Sequence, residues 1–198
     1  MLYYIHGYQS SPSGQKATLL KETIQAIPIT YRDGPPEDLI ISKCLDRISK
    51  SIAGDQQAIL IGSSLGGFLS AETALTHRNV QQLILLNPAI IPPETDLTAI
   101  TGMPLRILQE MKDPRLFTEK IPANITILRG TLDEVVPDRW VHRFAQTQNA
   151  TIKRFTDDHQ FTNTLQNLPK IITEILKKYI DSFSVSTSRT DRQRTAEF

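Results

Sequence analysis

One cysteine, Cys44, in 198 residues excludes any disulfide within the chain. Its helically spaced neighbours Ile41, Leu45, Ile48 and Ile52 place it on an apolar helix face, where a buried structural thiol is expected rather than a reactive one. Net charge is just as scarce: 22 Lys and Arg stand against 21 Asp and Glu, a formal +1. Without a basic stripe, neither nucleic acid nor an anionic membrane surface has an electrostatic reason to bind. No apolar run approaches the ~20 residues of a membrane span. The opening Leu2-Tyr3-Tyr4-Ile5 enters a strand at once, without the basic and apolar regions of a secretory signal. These absences predict a cytoplasmic protein whose partner is a small molecule; they leave its oligomeric state open. The four histidines, His6, His77, His142 and His159, have no metal-ligand spacing, so neither a metal nor another cofactor is expected.

What is present is a strict alternation of strand and helix patterns. Short apolar runs at Leu2–Ile5, Ile29–Tyr31, Ala58–Gly62, Gln82–Leu86, Ile125–Arg129 and Ile152–Phe155 read as six strands. Between them, apolar residues recur at three- and four-residue spacing: Ala17, Leu20, Ile24 and Ile27, then Ile41, Cys44, Leu45, Ile48 and Ile52. Alternation of this kind predicts an α/β fold, with a mostly parallel sheet covered by helices on both faces and ligands bound beyond the carboxyl ends of the strands. One domain over residues 1–181 is expected. Within it, residues 88–122 carry six of the twelve prolines and form the longest excursion between strands, which predicts a short cap. A last helix is expected from Asn167 to Ile180. Residues 182–198, rich in Ser, Thr and Arg, read as a mobile tail.

The chemistry-bearing signal is Gly62-Ser63-Ser64-Leu65-Gly66-Gly67, set between an apolar run and a helical pattern over Phe68 to His77. A serine with glycine two residues to either side is the layout of a nucleophile elbow, a strand-to-helix turn too tight for side chains at positions 62 and 66. The helix behind it directs its first N–H groups to where an oxyanion would form. A serine nucleophile needs a base and an acid, and in the elbow-bearing hydrolases they follow in the order acid, then histidine. Asp133 lies in the loop after the fifth strand, and His159 in the loop after the sixth. Glu134 is the nearest rival to Asp133. Asn87 ends the fourth strand, where some hydrolases carry the acid, but an amide has no charge with which to stabilise an imidazolium. His6-Gly7-Tyr8 follows the first strand and reads as an oxyanion loop, with the backbone N–H groups of Tyr8 and Leu65 as donors and His6 as a brace. Ile90, Ile91, Val135, Val136, Trp140 and Phe161 are candidates for an apolar acyl pocket.

The opening Tyr4-Ile5-His6-Gly7-Tyr8-Gln9-Ser10-Ser11-Pro12, the Gly62 to Phe68 elbow, Leu86-Asn87-Pro88-Ala89 and the Asp158-His159 pair together resemble the small YqiA-type esterases of the α/β-hydrolase superfamily. The likeness extends over most of residues 1 to about 180. It implies a minimal α/β-hydrolase fold that begins at the strand before the oxyanion loop, without the antiparallel strands that open larger members. The expected activity is serine-dependent hydrolysis of a small-molecule acyl ester or thioester. Thioesterase, acyltransferase and peptidase chemistry share the same machinery. The alternative from another class is a binding or signalling protein that keeps the fold without turnover.

Overall fold

The computed structural model describes residues 1–179 and Asp181, so the tail expected at 182–198 lies outside the described residues. In chain order the elements are β1 (Leu2–Ile5), α1 (Gln15–Ile24), β2 (Ile27–Pro28), α2 (Ile41–Ile52), β3 (Ala58–Ser63), α3 (Leu65–Thr76), β4 (Val80–Leu86), α4 (Leu105–Glu110), β5 (Asn124–Gly130), α5 (Asp138–Gln148) and β6 (Thr151–Phe155). A further helix, α6, begins at Leu168 and is described to position 179. The six strands form one sheet in the order β2-β1-β3-β4-β5-β6, and every neighbouring pair is parallel.

Side chains alternate across a strand, so each strand feeds two cores. Tyr3, Ile5, Leu60, Leu83, Leu85 and Ile127 pack on one face with α2, α3 and α5. Tyr4, Ile61, Ile84, Leu86 and Leu128 pack on the other with α1 and α6. Burial on both faces explains why the central strands read as continuous apolar runs rather than alternating ones. Cys44 is buried among the apolar residues of the first face, and burial pushes its thiol up to about 11. Among the described residues no helix is long and apolar enough to cross a membrane.

Two expected boundaries are corrected. The second strand pairs over Ile27–Pro28, not Ile29–Tyr31, and α1 stops before Ile27. Gln25 takes a left-handed conformation (φ 57°), and its N–H closes the helix on Lys21 O at 3.1 Å, releasing Ile27 to meet β1. Ile29 N–H still bonds Tyr4 O at 2.9 Å, after which the chain leaves the sheet edge. The remaining strands lie within two residues of their expected bounds. Residues 88–122 do form the longest excursion between strands; they carry α4 and bury Ile107, Leu108, Met111 and Leu116 against the first core.

Strand order reverses direction at β1 and β3, so the connections leave these two neighbours on opposite sides and open a crevice above their carboxyl ends. Ile5 stands opposite Gly62 in the ladder. The loop after β1 and the turn after β3 therefore emerge side by side at the switch point.

Candidate active site

The turn after β3 places Ser64 at φ 55° and ψ −118°, a region sparsely populated by residues with a side chain. Such a conformation costs about 1–3 kcal/mol, which the surroundings must offset. Ser64 N–H donates to Leu86 O at 2.9 Å, while Ser64 O accepts from Gly67 N at 2.9 Å and Ala89 N at 3.1 Å. The glycines have distinct reasons to be there. A Cβ on Gly62 would overlap Gly66 O and Ser70 Oγ, and one on Gly66 would overlap Ile5 O, so the second clash is with β1 rather than across the turn. Leu65 opens α3, and its N–H has no backbone acceptor among the described residues.

Beside the elbow runs His6-Gly7-Tyr8. A Cβ on Gly7 would lie 3.3 Å from Ser63 O and 3.3 Å from Ser64 Cβ, closer than an ordinary van der Waals contact, so the loop passes the serine with no room to spare. Tyr8 N–H likewise has no backbone acceptor among the described residues. His6 is buried, with Nδ1 2.8 Å from Gly7 O and 3.1 Å from Tyr31 Oη, and its ring stacks on Tyr31 at 4.3 Å. Burial pushes the imidazole down to about 4, so it is neutral at physiological pH. Tyr31 Oη also donates to His6 O at 3.1 Å, and Arg32 donates to Tyr8 O at 3.1 Å and Ser10 O at 2.8 Å. Tyr31 and Arg32 thus tie the loop from behind, a role that sequence reasoning missed.

At the carboxyl ends of β5 and β6, Asp133 and His159 come together: His159 Nδ1 is 3.0 Å from Asp133 Oδ2. Asp133 Oδ1 accepts from the N–H groups of Val135 at 2.8 Å and Val136 at 3.0 Å. Burial alone would raise its carboxyl; the bond to His159 and these N–H groups outweigh that and hold it below the usual carboxylate range. An ionised Asp133 accepts only, so Nδ1 of His159 carries the proton and Nε2 is the basic nitrogen of the ring. The neighbouring acids are engaged otherwise. Asp157 accepts the N–H groups of Asp158, Asn163 and Thr164, Asp158 accepts from Thr162, and Glu134 is exposed.

Behind Asp133 lies a buried arginine that sequence reasoning also missed, although a charge ending the run Ile125-Thr126-Ile127-Leu128 was a signal. Arg129 Nη1 donates to Asp133 Oδ2 at 2.5 Å and to Asn87 Oδ1 at 3.3 Å; Nη2 donates to Val136 O at 2.8 Å and Nε to Asp138 Oδ1 at 3.1 Å. Asn87 joins the two loops: it accepts from Gly130 N at 2.9 Å and donates to Asp158 O at 3.1 Å and His159 O at 3.2 Å.

Gly7, Tyr8, Ser64 and His159 line one cavity of about 1170 Å³. Among the described residues no hydrogen bond joins Ser64 to His159, and such bonds commonly tighten only when substrate is bound. The excursion lines one side with Ile91, Ile100, Met103 and Met111, and Val135, Val136 and Trp140 continue that apolar wall. Of the expected pocket residues, Ile90 and Phe161 are not on it. Ile90 is packed into the first core, and Phe161, at φ 59°, turns into the second. Among the described residues no group of His, Cys, Asp and Glu is arranged to hold a metal.

A parallel sheet in this order, with a serine on the sharp turn between a central strand and its helix, defines a minimal α/β-hydrolase fold. Solved structures similar to it include Est1E from Butyrivibrio proteoclasticus, 18% identical over 91% of this chain and 88% of that one, with a TM-score of 0.74. Mouse alpha/beta hydrolase domain-containing protein 10 is 22% identical over 90% of each chain, with a TM-score of 0.69. The Pyrococcus furiosus esterase Pf2001 is 14% identical over 91% and 82%, with a TM-score of 0.68. At these identities the likeness is one of fold. The chain belongs to UPF0227, an uncharacterised protein family, which it matches over residues 1–175.

Proposed function

We propose that this chain is a cytoplasmic serine hydrolase that cleaves small-molecule carboxylic esters or thioesters through an acyl-enzyme intermediate. Ser64 Oγ attacks the acyl carbon and passes its proton to Nε2 of His159. The resulting imidazolium, held through Nδ1–H by Asp133, returns that proton to the leaving alcohol or thiol. The N–H groups of Tyr8 and Leu65 receive the negative charge that builds on the acyl oxygen, and His6 and Gly7 keep the first of them close to the serine. Water, activated by His159, then releases the acid. The residues 88–122 act as a cap, and their apolar side receives the acyl group.

The observation that carries this reading is the 3.0 Å contact of His159 with Asp133 on the wall of a cavity that Ser64 also lines. Two proteins of the same fold carry esterase names, the Pyrococcus furiosus esterase and a lipase-esterase related protein from Clostridium acetobutylicum, which supports the reading.

A fluorophosphonate probe and a panel of acyl esters of increasing chain length test it together. Wild type should be labelled once and should hydrolyse at least one ester class; Ser64→Ala should do neither while keeping the wild-type melting temperature. Turnover by the alanine variant at the wild-type rate ends the serine-hydrolase reading. A wild-type chain that neither labels nor turns over favours a non-catalytic binding protein on the same fold.

A further inference from the structure

Asp133 Oδ2 is shared. His159 reaches it from the cavity side at 3.0 Å and Arg129 from the sheet side at 2.5 Å, with the Arg129 and Asp133 side chains 3% and 0% exposed. A carboxylate that serves only to orient and stabilise an imidazolium needs no second cation, and burying a guanidinium is costly unless it is fully paired. Each guanidinium nitrogen of Arg129 has a partner: besides Asp133 it bonds Asn87, the Val136 carbonyl and Asp138, which spans the start and end of the loop that carries Asp133.

We propose that Arg129 is a positioning residue for the Asp133–His159 pair. The proposal rests on the hydrolase reading above only for its kinetic readout. The guanidinium pins Asp133 Oδ2 where Nδ1 of His159 can reach it, and through the Val136 carbonyl and Asp138 it ties down the loop that carries Asp133. Without Arg129 the carboxylate is free to turn away, and the imidazole loses the partner that fixes its orientation.

The other charges around the imidazole are accounted for. Asp158 is in its own loop and bonded to Thr162; Asp157 is spent on three N–H groups; Lys16 of α1 bonds the neighbouring Gln160 at 3.1 Å and faces the charges of Asp157 and Asp158. Glu134 and Arg139 border the cavity from the α5 side, and Asp138 is paired with Arg129 and His142. Among the described residues none of these others bonds to Asp133 or to the His159 ring.

The test compares Arg129→Met with Arg129→Lys, reading kcat and KM separately, the melting temperature, and the downfield NMR signal of the Nδ1 proton that His159 shares with Asp133. A misplacement of about 1 Å at a catalytic group costs on the order of 10²-fold. Arg129→Met should therefore lower kcat by about that factor with KM little changed and should broaden or lose the Nδ1 signal, whereas Arg129→Lys, which keeps a donor behind Asp133, should recover part of both. A purely structural role predicts a lower melting temperature with kcat and the Nδ1 signal of the folded protein unchanged, and that outcome overturns the proposal, as does a lysine variant no better than the methionine one. Should Arg129→Met not fold, Arg129→Met/Asp133→Asn leaves neither charge unpaired; its kcat must be no lower than that of Asp133→Asn alone. The NMR arm needs no substrate, so it stands even if no ester is turned over.

Discussion

Replacing Glu72 by glutamine should remove a pH-dependent loss of stability that the wild-type fold carries. Glu72 sits in α3, the helix behind the elbow, with its side chain only 4% exposed. Its Oε2 is 3.2 Å from Arg115 of the excursion, and its Oε1 is buried without a partner. Burial, then the negative charge of Asp113, raise its carboxyl; Arg115 lowers it and Glu119 adds to the rise, and the outcome is about 7 against an ordinary 4.5. A carboxyl raised in the fold favours the protonated native state, so its contribution is whole below pH 4.5 and is lost as pH climbs through 7. At ~1.4 kcal/mol per unit, the shift amounts to roughly 3 kcal/mol. For a chain of this size that corresponds to about 6–12 °C in Tm. Glutamine mimics the protonated acid at every pH, whereas the other titrating groups are common to both chains and cancel. Measured by circular dichroism from pH 4.5 to 8.5, the Tm of Glu72→Gln minus that of wild type should rise by this amount. Parallel curves across the range would refute the reasoning.

Four further substitutions probe the site. Gly66→Ala should cost about 1–3 kcal/mol of stability and most of the activity, because its methyl would overlap Ile5 O, a backbone atom of the sheet; a variant with wild-type Tm and rate would contradict the packing described. Asp133→Asn should lower the chemical step by about 10⁴-fold through loss of charge and tautomer control, while Glu134→Gln and Asp158→Asn cost far less; single-turnover rates that make either of the latter the worst variant would move the acid elsewhere.

Much of this was legible in the residues. The turn at Ser64 declared itself because the glycines at 62 and 66 answer a steric demand that no other residue meets, and the meeting of Asp133 with His159 because each follows a strand whose carboxyl end faces the crevice. What escaped notice depends on long-range packing. Nothing near Gln25 marks it as the residue that ends α1, since the left-handed turn there is filled by neither glycine nor asparagine, and the helical spacing ran on through Ile27. Phe161 looked like a pocket wall by virtue of its place after His159, yet its backbone turns the ring into the core. Arg129 was absorbed into a strand on the strength of its four apolar-rich predecessors. Tyr31 and Arg32 gave no local hint at all, because their partners lie in a loop more than twenty positions earlier in the chain.

The contact of Gly66 with Ile5 O has a mechanical consequence. The helix that follows Ser64 is pressed against the strand that leads into His6-Gly7-Tyr8, with no side chain between them to act as a cushion. Helix and strand therefore brace each other, and the ladder in which Ile5 faces Gly62 ties them further. On the proposed hydrolase reading, this bracing keeps the nucleophile and its anion donors at one spacing, and admission and release of a ligand fall to the opposite wall, which the excursion lines.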